Sequence, residues 1–349
     1  MAIITIIGCG MMGSAISWPA IHNGHTIRYV GTPLDREIIE HARATGEHLT
    51  LKRPFPKGDL HFYQFEEITE AMAGADLLLC GVSSFGLDWF LDTVIPMIPD
   101  GAKVLSITKG MIALEDGSMI SYPEVMEERA AALGKKNIDF NAVGGPCTSY
   151  ELADLDPTEV TFCGRNPETL RWLKSLFQRD YYNVSLSTDV RGVECAVALK
   201  NAYALGISLA IGMSYKREGR EFEHYNSQAA LFGQSVREMT LLLDLCGGKP
   251  QQLPLGAGDL YVTVYGGRTR KIGTLLGTGM RFEEAMEVLK GVTLESIVIS
   301  TRTAQAVRRL IDRGIVCAEN FPLLLHIDEL VNGGKTVNVP WAAFTHEDF

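Results

Sequence analysis

Two lysines, one aspartate and a group of arginines stand where charge is costly, and they delimit the chemistry open to this chain. Lys200 and Asn201 interrupt the run Glu194-Cys195-Ala196-Val197-Ala198-Leu199-Lys200-Asn201-Ala202-Tyr203-Ala204-Leu205-Gly206, which is apolar nearly all round a helix. An ammonium in such a helix is paired or functional, because burying it alone is expensive. Desolvation beside another cation lowers its pKa toward general acid–base use; the plain alternative is a lysine that snorkels to solvent. Lys109 follows a predicted strand in Ser106-Ile107-Thr108-Lys109-Gly110, at the carboxyl end where a parallel sheet receives ligands, a position that an ordinary surface lysine also fits. Asp259 lies in Gly256-Ala257-Gly258-Asp259, expected as a small-residue turn, ahead of a Gly266-Gly267 hinge and the cations Arg268, Arg270 and Lys271. The planar fork of arginine suits a phosphate, although Arg270 and Lys271 also fit a solvated face.

A second constellation is the glycine loop Gly8-Cys9-Gly10-Met11-Met12-Gly13-Ser14-Ala15. The G-x-G-x-x-G pattern is weak by itself, but here it directly follows a strand and opens a helix, as a dinucleotide site requires. Gly8 allows the tight turn, Gly10 the approach of backbone to a pyrophosphate, and Gly13 close helix–strand packing. The amides of Met11 and Met12 at the helix start would face the phosphates. The second strand ends Tyr29-Val30-Gly31-Thr32-Pro33-Leu34-Asp35-Arg36, without the acid that binds a ribose diol at its usual place. Asp35 comes late, and Thr32 and Arg36 could receive a 2′-phosphate or merely cap the next helix, so NAD and NADP both stay open.

These residues need a scaffold, and the first half of the chain supplies alternating strand and helix patterns. Strands are expected at Ile3–Gly8, Thr26–Val30, Asp76–Val82, Lys103–Ile107, Asn141–Gly144, Glu159–Cys163 and Tyr182–Leu186. Helices are expected at 11–23, 35–44, 65–73, 87–95, 122–133 and 167–177. That alternation predicts an α/β fold with a Rossmann-type, doubly wound parallel sheet. Beyond residue 188 long helical patterns take over, at 193–213, 226–246, 282–290, 301–313 and 322–331, with 215–224 reading as a charged loop. The expected organisation is therefore a dinucleotide-binding domain over 1–188 and an all-helical substrate and catalytic domain over 189–349.

Composition narrows the classes. With 349 residues the chain is long enough for two cores. Its net charge of −10 argues against a nonspecific nucleic-acid binder. No uncharged run of membrane-spanning length and no basic leader is present. The 7 cysteines are odd in number, scattered and free of C-x-x-C spacing, and read as reduced thiols of a cytoplasmic protein. They do not combine with the 8 histidines at metal-ligand spacing, so no metal is expected. Phosphate site, lysines, acid and arginine together suit hydride transfer to a carbonyl on a small anionic substrate.

With these residues in hand, the chain resembles the NAD(P)-dependent glycerol-3-phosphate dehydrogenases along almost its whole length. The resemblance rests on Gly8–Ala15, Ala73-Gly74-Ala75-Asp76, Thr108-Lys109-Gly110, Gly145-Pro146, Gly192-Val193-Glu194, Ala198-Leu199-Lys200-Asn201, Asn226 with Ala229-Ala230-Leu231, Gly258-Asp259-Leu260 and Arg268-x-Arg270, in that order. It implies that Lys200 gives its proton to the ketone of dihydroxyacetone phosphate and takes it back from the alcohol. Lys109 would help polarise the substrate, and Asp259 would hydrogen-bond Lys200. Asn201, Thr263, Arg268 and Thr269 would hold the phosphate and hydroxyls, and Glu295 would lie near the cofactor. The family's Arg-Asn-Arg reads Arg268-Thr269-Arg270 here, Val-Pro-Ser reads Val82-Ser83-Ser84, Gly-Pro-Ser-Phe reads Gly145-Pro146-Cys147-Thr148, and Glu-Gly reads Glu295-Ser296. The expectation is a diverged member whose substrate is glycerol 3-phosphate or a related phosphorylated hydroxyketone, for example a four-carbon one. Two other readings stay open: a dehydrogenase of another short hydroxy acid, and a non-catalytic dinucleotide-binding sensor. No nucleic acid or membrane partner is expected, and a homodimer is left open.

Overall fold

The computed structural model describes residues 1–345 and Glu347. The chain separates into two compact units, one of residues 1–109 with 121–194 and one of residues 110–120 with 195 onward. Of the expected second domain, His346, Asp348 and Phe349 lie outside the described residues.

The first unit is built on an eight-stranded sheet. Its strands in chain order are β1 (Ile3–Ile7), β2 (Thr26–Val30), β3 (Leu60–Tyr63), β4 (Leu77–Cys80), β5 (Lys103–Ser106), β6 (Asp139–Gly144), β7 (Thr158–Gly164) and β8 (Tyr182–Ser187). Across the sheet they run β8-β7-β6-β5-β4-β1-β2-β3. The chain builds outward from β1 through β2 and β3, then returns to the other side of β1. That reversal is the switch point at which an open α/β sheet takes its ligand. Every pairing is parallel except β6 with β7, which is antiparallel, so the parallel expectation holds over the rest of the sheet. Ile4, Ile6 and Ile7 in β1 and Leu77, Leu79 and Cys80 in β4 are fully buried. Such unbroken apolar strands form where helices cover both faces.

Two local readings change. The expected helix over 11–23 is broken into Met11–Ala15 and Ser17–His22. Pro19 has no N–H for the carbonyl of Ala15, and its ring crowds that carbonyl. Strand β3 has no apolar run to announce it: Leu60-His61-Phe62-Tyr63 is a half-buried edge strand.

The second unit is helical. Its helices are α1 (Val190–Glu218, which enters the unit at Cys195), α2 (Tyr225–Leu245), α3 (Leu253–Val264), α4 (Gly267–Gly277), α5 (Phe282–Val288), α6 (Glu295–Asp312) and α7 (Pro322–Val331). α1 is long and apolar enough to cross a membrane, but 89% of its most apolar window is buried inside the protein, as in a core helix. It runs through Tyr215–Glu218, so only 219–224 of the expected charged loop is non-helical, and Glu223 of that loop pairs with Arg270. The expected turn at Gly256–Asp259 is instead the middle of α3. A Cβ on Gly256 would lie 2.6 Å from the carbonyl oxygen of Ala196, so α3 packs against α1 at a distance only glycine permits. The hairpin Met111–Ala113/Met119–Ser121 meets α6, where Arg309 donates to the Leu114 carbonyl and Arg313 to that of Asp116.

Glu238 ties this core together. It is fully buried and accepts the Tyr203 hydroxyl at 3.0 Å, the Gln234 amide at 2.8 Å, and the Leu323 and Leu324 N–H groups at 2.8 and 2.9 Å, so it caps the start of α7. Burial pushes its carboxyl up to about 7 from an ordinary 4.5.

Two predictions follow from this packing. Gly233 lies mid-helix in α2 with nothing within 4 Å of a Cβ. Thermal or denaturant melts should therefore show Gly233→Ala stabilising by about 0.5–1 kcal/mol, while the same change at Gly256 destabilises by about 1–3 kcal/mol. For Glu238, the folded protein keeps a proton between the unfolded and folded pKa values that the unfolded chain has lost. Stability from this group is thus full below the unfolded value and lost as pH rises through the folded one. Between about pH 5 and 7 the wild type should lose up to about 3 kcal/mol through it, and Glu238→Gln should flatten that slope; an unchanged slope rejects the assignment.

Candidate active site

In the first unit the glycine loop sits at the carboxyl end of β1. Gly8 has φ +102°, open only to glycine without strain. A Cβ on Gly13 would come 2.3 Å from the Gly8 carbonyl oxygen, and one on Gly81 would come 2.5 Å from the same atom. The loop, the helix start and the end of β4 therefore meet at backbone distance, and no side chain fills the cradle. A Cβ on Gly10 meets nothing within 4 Å, so space lies open above the loop. This is the shape a dinucleotide pyrophosphate needs, with Gly8, Gly10, Met11, Met12 and Gly13 around it. Met11 is exposed and Met12 half-buried.

The end of β2 is organised by Asp35. Asp35 is turned inward: one carboxylate oxygen, Oδ2, accepts the Cys9 N–H at 3.1 Å, the Thr32 N–H at 2.9 Å and the Thr32 hydroxyl at 2.8 Å. Arg36 points to solvent and pairs with Glu66 at 2.5 Å, both side chains being more than half exposed. An exposed pair of this kind contributes little and yields readily to a phosphate. His48 escaped the sequence reading altogether. It is fully buried, and its Nε2 lies 2.9 Å from the Cys9 carbonyl oxygen. No motif marks it, because it reaches the loop from a separate short hairpin, Glu47–His48/Arg53–Pro54.

Lys109 follows β5, and its Nζ donates to the Gly145 carbonyl beyond β6 at 2.9 Å. The neighbouring Thr108 hydroxyl donates to the Val82 carbonyl at 2.7 Å, which fixes the strand end that carries the lysine.

In the second unit α1 and α3 bring Lys200 and Asp259 together: Nζ lies 2.5 Å from Oδ1, with the lysine side chain 14% exposed and the aspartate fully buried. The close helix contact explains why. Ala196 and Lys200 are one turn apart on α1, and Gly256 and Asp259 are one turn apart on α3, so the faces that touch are the faces that carry the charges. Thr263 lies a further turn along α3, half-buried, its hydroxyl bonded to the Asp259 carbonyl at 2.6 Å. Asn201 is half-buried beside Lys200. At the start of α4, Arg268 is exposed and donates to the Thr293 hydroxyl at 2.5 Å, Thr269 is buried, and Arg270 is held by Glu223 and by the Val264 carbonyl at 3.1 Å. Glu295 occupies the first turn of α6, in this unit.

Residues 3–170 match the model of the NAD-dependent glycerol-3-phosphate dehydrogenase N-terminus, and residues 189–341 that of its C-terminus. An NADP(+)-dependent glycerol-3-phosphate dehydrogenase of Archaeoglobus fulgidus is 31% identical over 312 residues, covering 88% of this chain and 89% of the relative. A glycerol-3-phosphate dehydrogenase [NAD(P)+] of Bacillus velezensis is 28% identical, covering 88% and 84%. Among solved structures, the Plasmodium falciparum glycerol-3-phosphate dehydrogenase superposes with a TM-score of 0.83 at 20% identity over 100% of this chain and 96% of that one, and shows the same fold. The Coxiella burnetii enzyme does so with a TM-score of 0.78 at 22% identity, over 98% and 97%. The chain thus belongs to the NAD-dependent glycerol-3-phosphate dehydrogenase family and is an NAD(P)-dependent dehydrogenase acting on a CH–OH group.

Proposed function

We propose that this enzyme interconverts dihydroxyacetone phosphate and glycerol 3-phosphate, with Lys200 as the proton donor and acceptor and NADP(H) as the preferred cofactor. The observation that carries the reading is the Lys200–Asp259 pair, a charged couple kept between two helices of the core. A stability role is a weak reason to retain such a pair, because its desolvation offsets its attraction; acid–base work is a better one.

In the reductive direction the Lys200 ammonium gives its proton to the oxygen of the ketone as the carbonyl carbon gains a hydride, so the alkoxide never stands free. The bound dinucleotide supplies that hydride, and in the reverse direction accepts it. Asp259 holds the ammonium in place. Lys109 adds positive charge where negative charge develops on the carbonyl oxygen. Arg268, with Asn201, Thr263 and Thr269, holds the phosphate and hydroxyls. The first unit then serves the dinucleotide and the second the proton, as the expected domains 1–188 and 189–349 would.

The cofactor preference follows from Asp35. With Oδ2 committed to the loop and to Thr32, Asp35 keeps only Oδ1 for a 2′,3′-diol, whereas the exposed guanidinium of Arg36 stands just beyond the end of β2. The Archaeoglobus fulgidus relative named as NADP(+)-dependent supports the same choice.

Lys200→Ala should lose about 10²- to 10⁴-fold in kcat with dihydroxyacetone phosphate while dinucleotide affinity stays near wild type. Wild-type turnover in that variant would remove Lys200 from the mechanism. A panel containing a four-carbon phosphorylated hydroxyketone, unphosphorylated dihydroxyacetone and a 2-hydroxy acid should rank dihydroxyacetone phosphate first; a preferred hydroxy acid would reject the substrate class. For the cofactor, kcat/KM should favour NADPH over NADH by about tenfold or more, and Arg36→Glu should remove most of that ratio. An equal ratio in both proteins would refute the role of Arg36.

A further inference from the structure

The geometry points to His48 and Asp35 as a two-sided clamp that presets the glycine loop for the dinucleotide. The inference rests on the reading of that loop as the pyrophosphate site.

Both polar groups of the Cys9 main chain are held by side chains from outside the motif. Asp35 Oδ2 accepts the Cys9 N–H at 3.1 Å. His48 Nε2 lies 2.9 Å from the Cys9 carbonyl oxygen. The proton on His48 can be assigned from its other nitrogen. Nδ1 receives the backbone N–H of Leu51 at 3.0 Å and that of Thr50 at 3.3 Å. A main-chain amide only donates, so Nδ1 is bare and Nε2 carries the hydrogen that goes to Cys9. Burial lowers the pKa of the ring, which keeps it in this neutral form.

The histidine is itself fixed. Its ring packs 5.9 Å from that of Phe55, which contacts Trp18, Tyr29 and Phe62 at 5.3, 5.0 and 5.2 Å. The Glu47–Pro54 hairpin thus carries a rigid donor to the glycine loop and is joined to the main sheet by that aromatic cluster rather than by strand pairing. The need for such a clamp follows from the loop's composition. Gly8 and Gly10 give the backbone the freedom to approach a phosphate, and the same freedom makes ordering the loop costly. Side chains that hold Cys9 between them meet that cost before the ligand arrives, which is preorganisation. They act through the loop backbone, so they are positioning residues.

The test uses the full-length enzyme and measures Kd for NADPH and NADH, KM for dihydroxyacetone phosphate and kcat at saturating cofactor. His48→Phe keeps a flat ring against Phe55 and has no donor. His48→Gln keeps an Nε2 donor for the Cys9 carbonyl. Asp35→Ala removes the acceptor on the other side. Gly10→Asp puts a carboxylate into open space above the loop, at a helix N-cap where aspartate is welcome. His48→Phe and Asp35→Ala should each raise the dinucleotide Kd about tenfold, leaving KM for the ketone and saturated kcat within about twofold. His48→Gln should recover most of the loss. The clamp is overturned if folded His48→Phe binds dinucleotide like wild type, if Kd, KM and kcat all deteriorate in step, or if Gln restores nothing. Should His48→Phe not fold, the same split in Asp35→Ala decides. Loss of binding in Gly10→Asp with wild-type binding in the clamp variants rejects the clamp and keeps the loop; wild-type binding in Gly10→Asp rejects the loop reading itself.

Discussion

A lysine ammonium inside an apolar helical core is the constraint around which the second unit is organised. Lys200 would be intolerable there alone, and Asp259 would be equally so, since each is an ion removed from water. The two meet where α1 and α3 come closer than side chains normally allow. Gly256 against the carbonyl of Ala196 is that approach, one turn from the charges on both helices. Packing and chemistry are therefore one feature. The contact that makes the helix pair dense also sets the ion pair at hydrogen-bond length.

The first unit solves a related problem with backbone alone. Its cradle is formed by Gly8, Gly13 and Gly81 at distances that admit no Cβ. The sheet order places that cradle at the reversal beside β1, so topology delivers the loop and composition empties it. At such a helix start the first backbone amides lack an intrahelical acceptor, which is the feature that suits a phosphate.

Much of this was legible in the residues. β2 and the helix Pro167–Phe177 run over the expected residues, because an apolar β-branched run and an Asn166–Pro167 start are strong local signals. Lys200 was legible as a charge that needed a partner, and the family resemblance named Asp259 as that partner. The Gly256–Asp259 segment misled, because glycines that read as a turn were there for helix contact, and only the opposing Ala196 reveals it. The helix after the glycine loop broke at Ile16, ahead of Pro19, a signal present in the sequence and outvoted by periodicity. His48 carried no signal at all. Its partner is a carbonyl, and carbonyls look alike in every sequence.

The hairpin at residues 110–120 belongs to the helical unit although the chain on both sides of it belongs to the other. The polypeptide therefore passes from one unit to the other more than once, and no single cut yields two complete halves. During synthesis the hairpin leaves the ribosome well before α6, whose Arg309 and Arg313 bind its turn. Until α6 emerges the hairpin lacks the helix it packs against, so the helical unit is completed only after every segment of the sheet unit has been made.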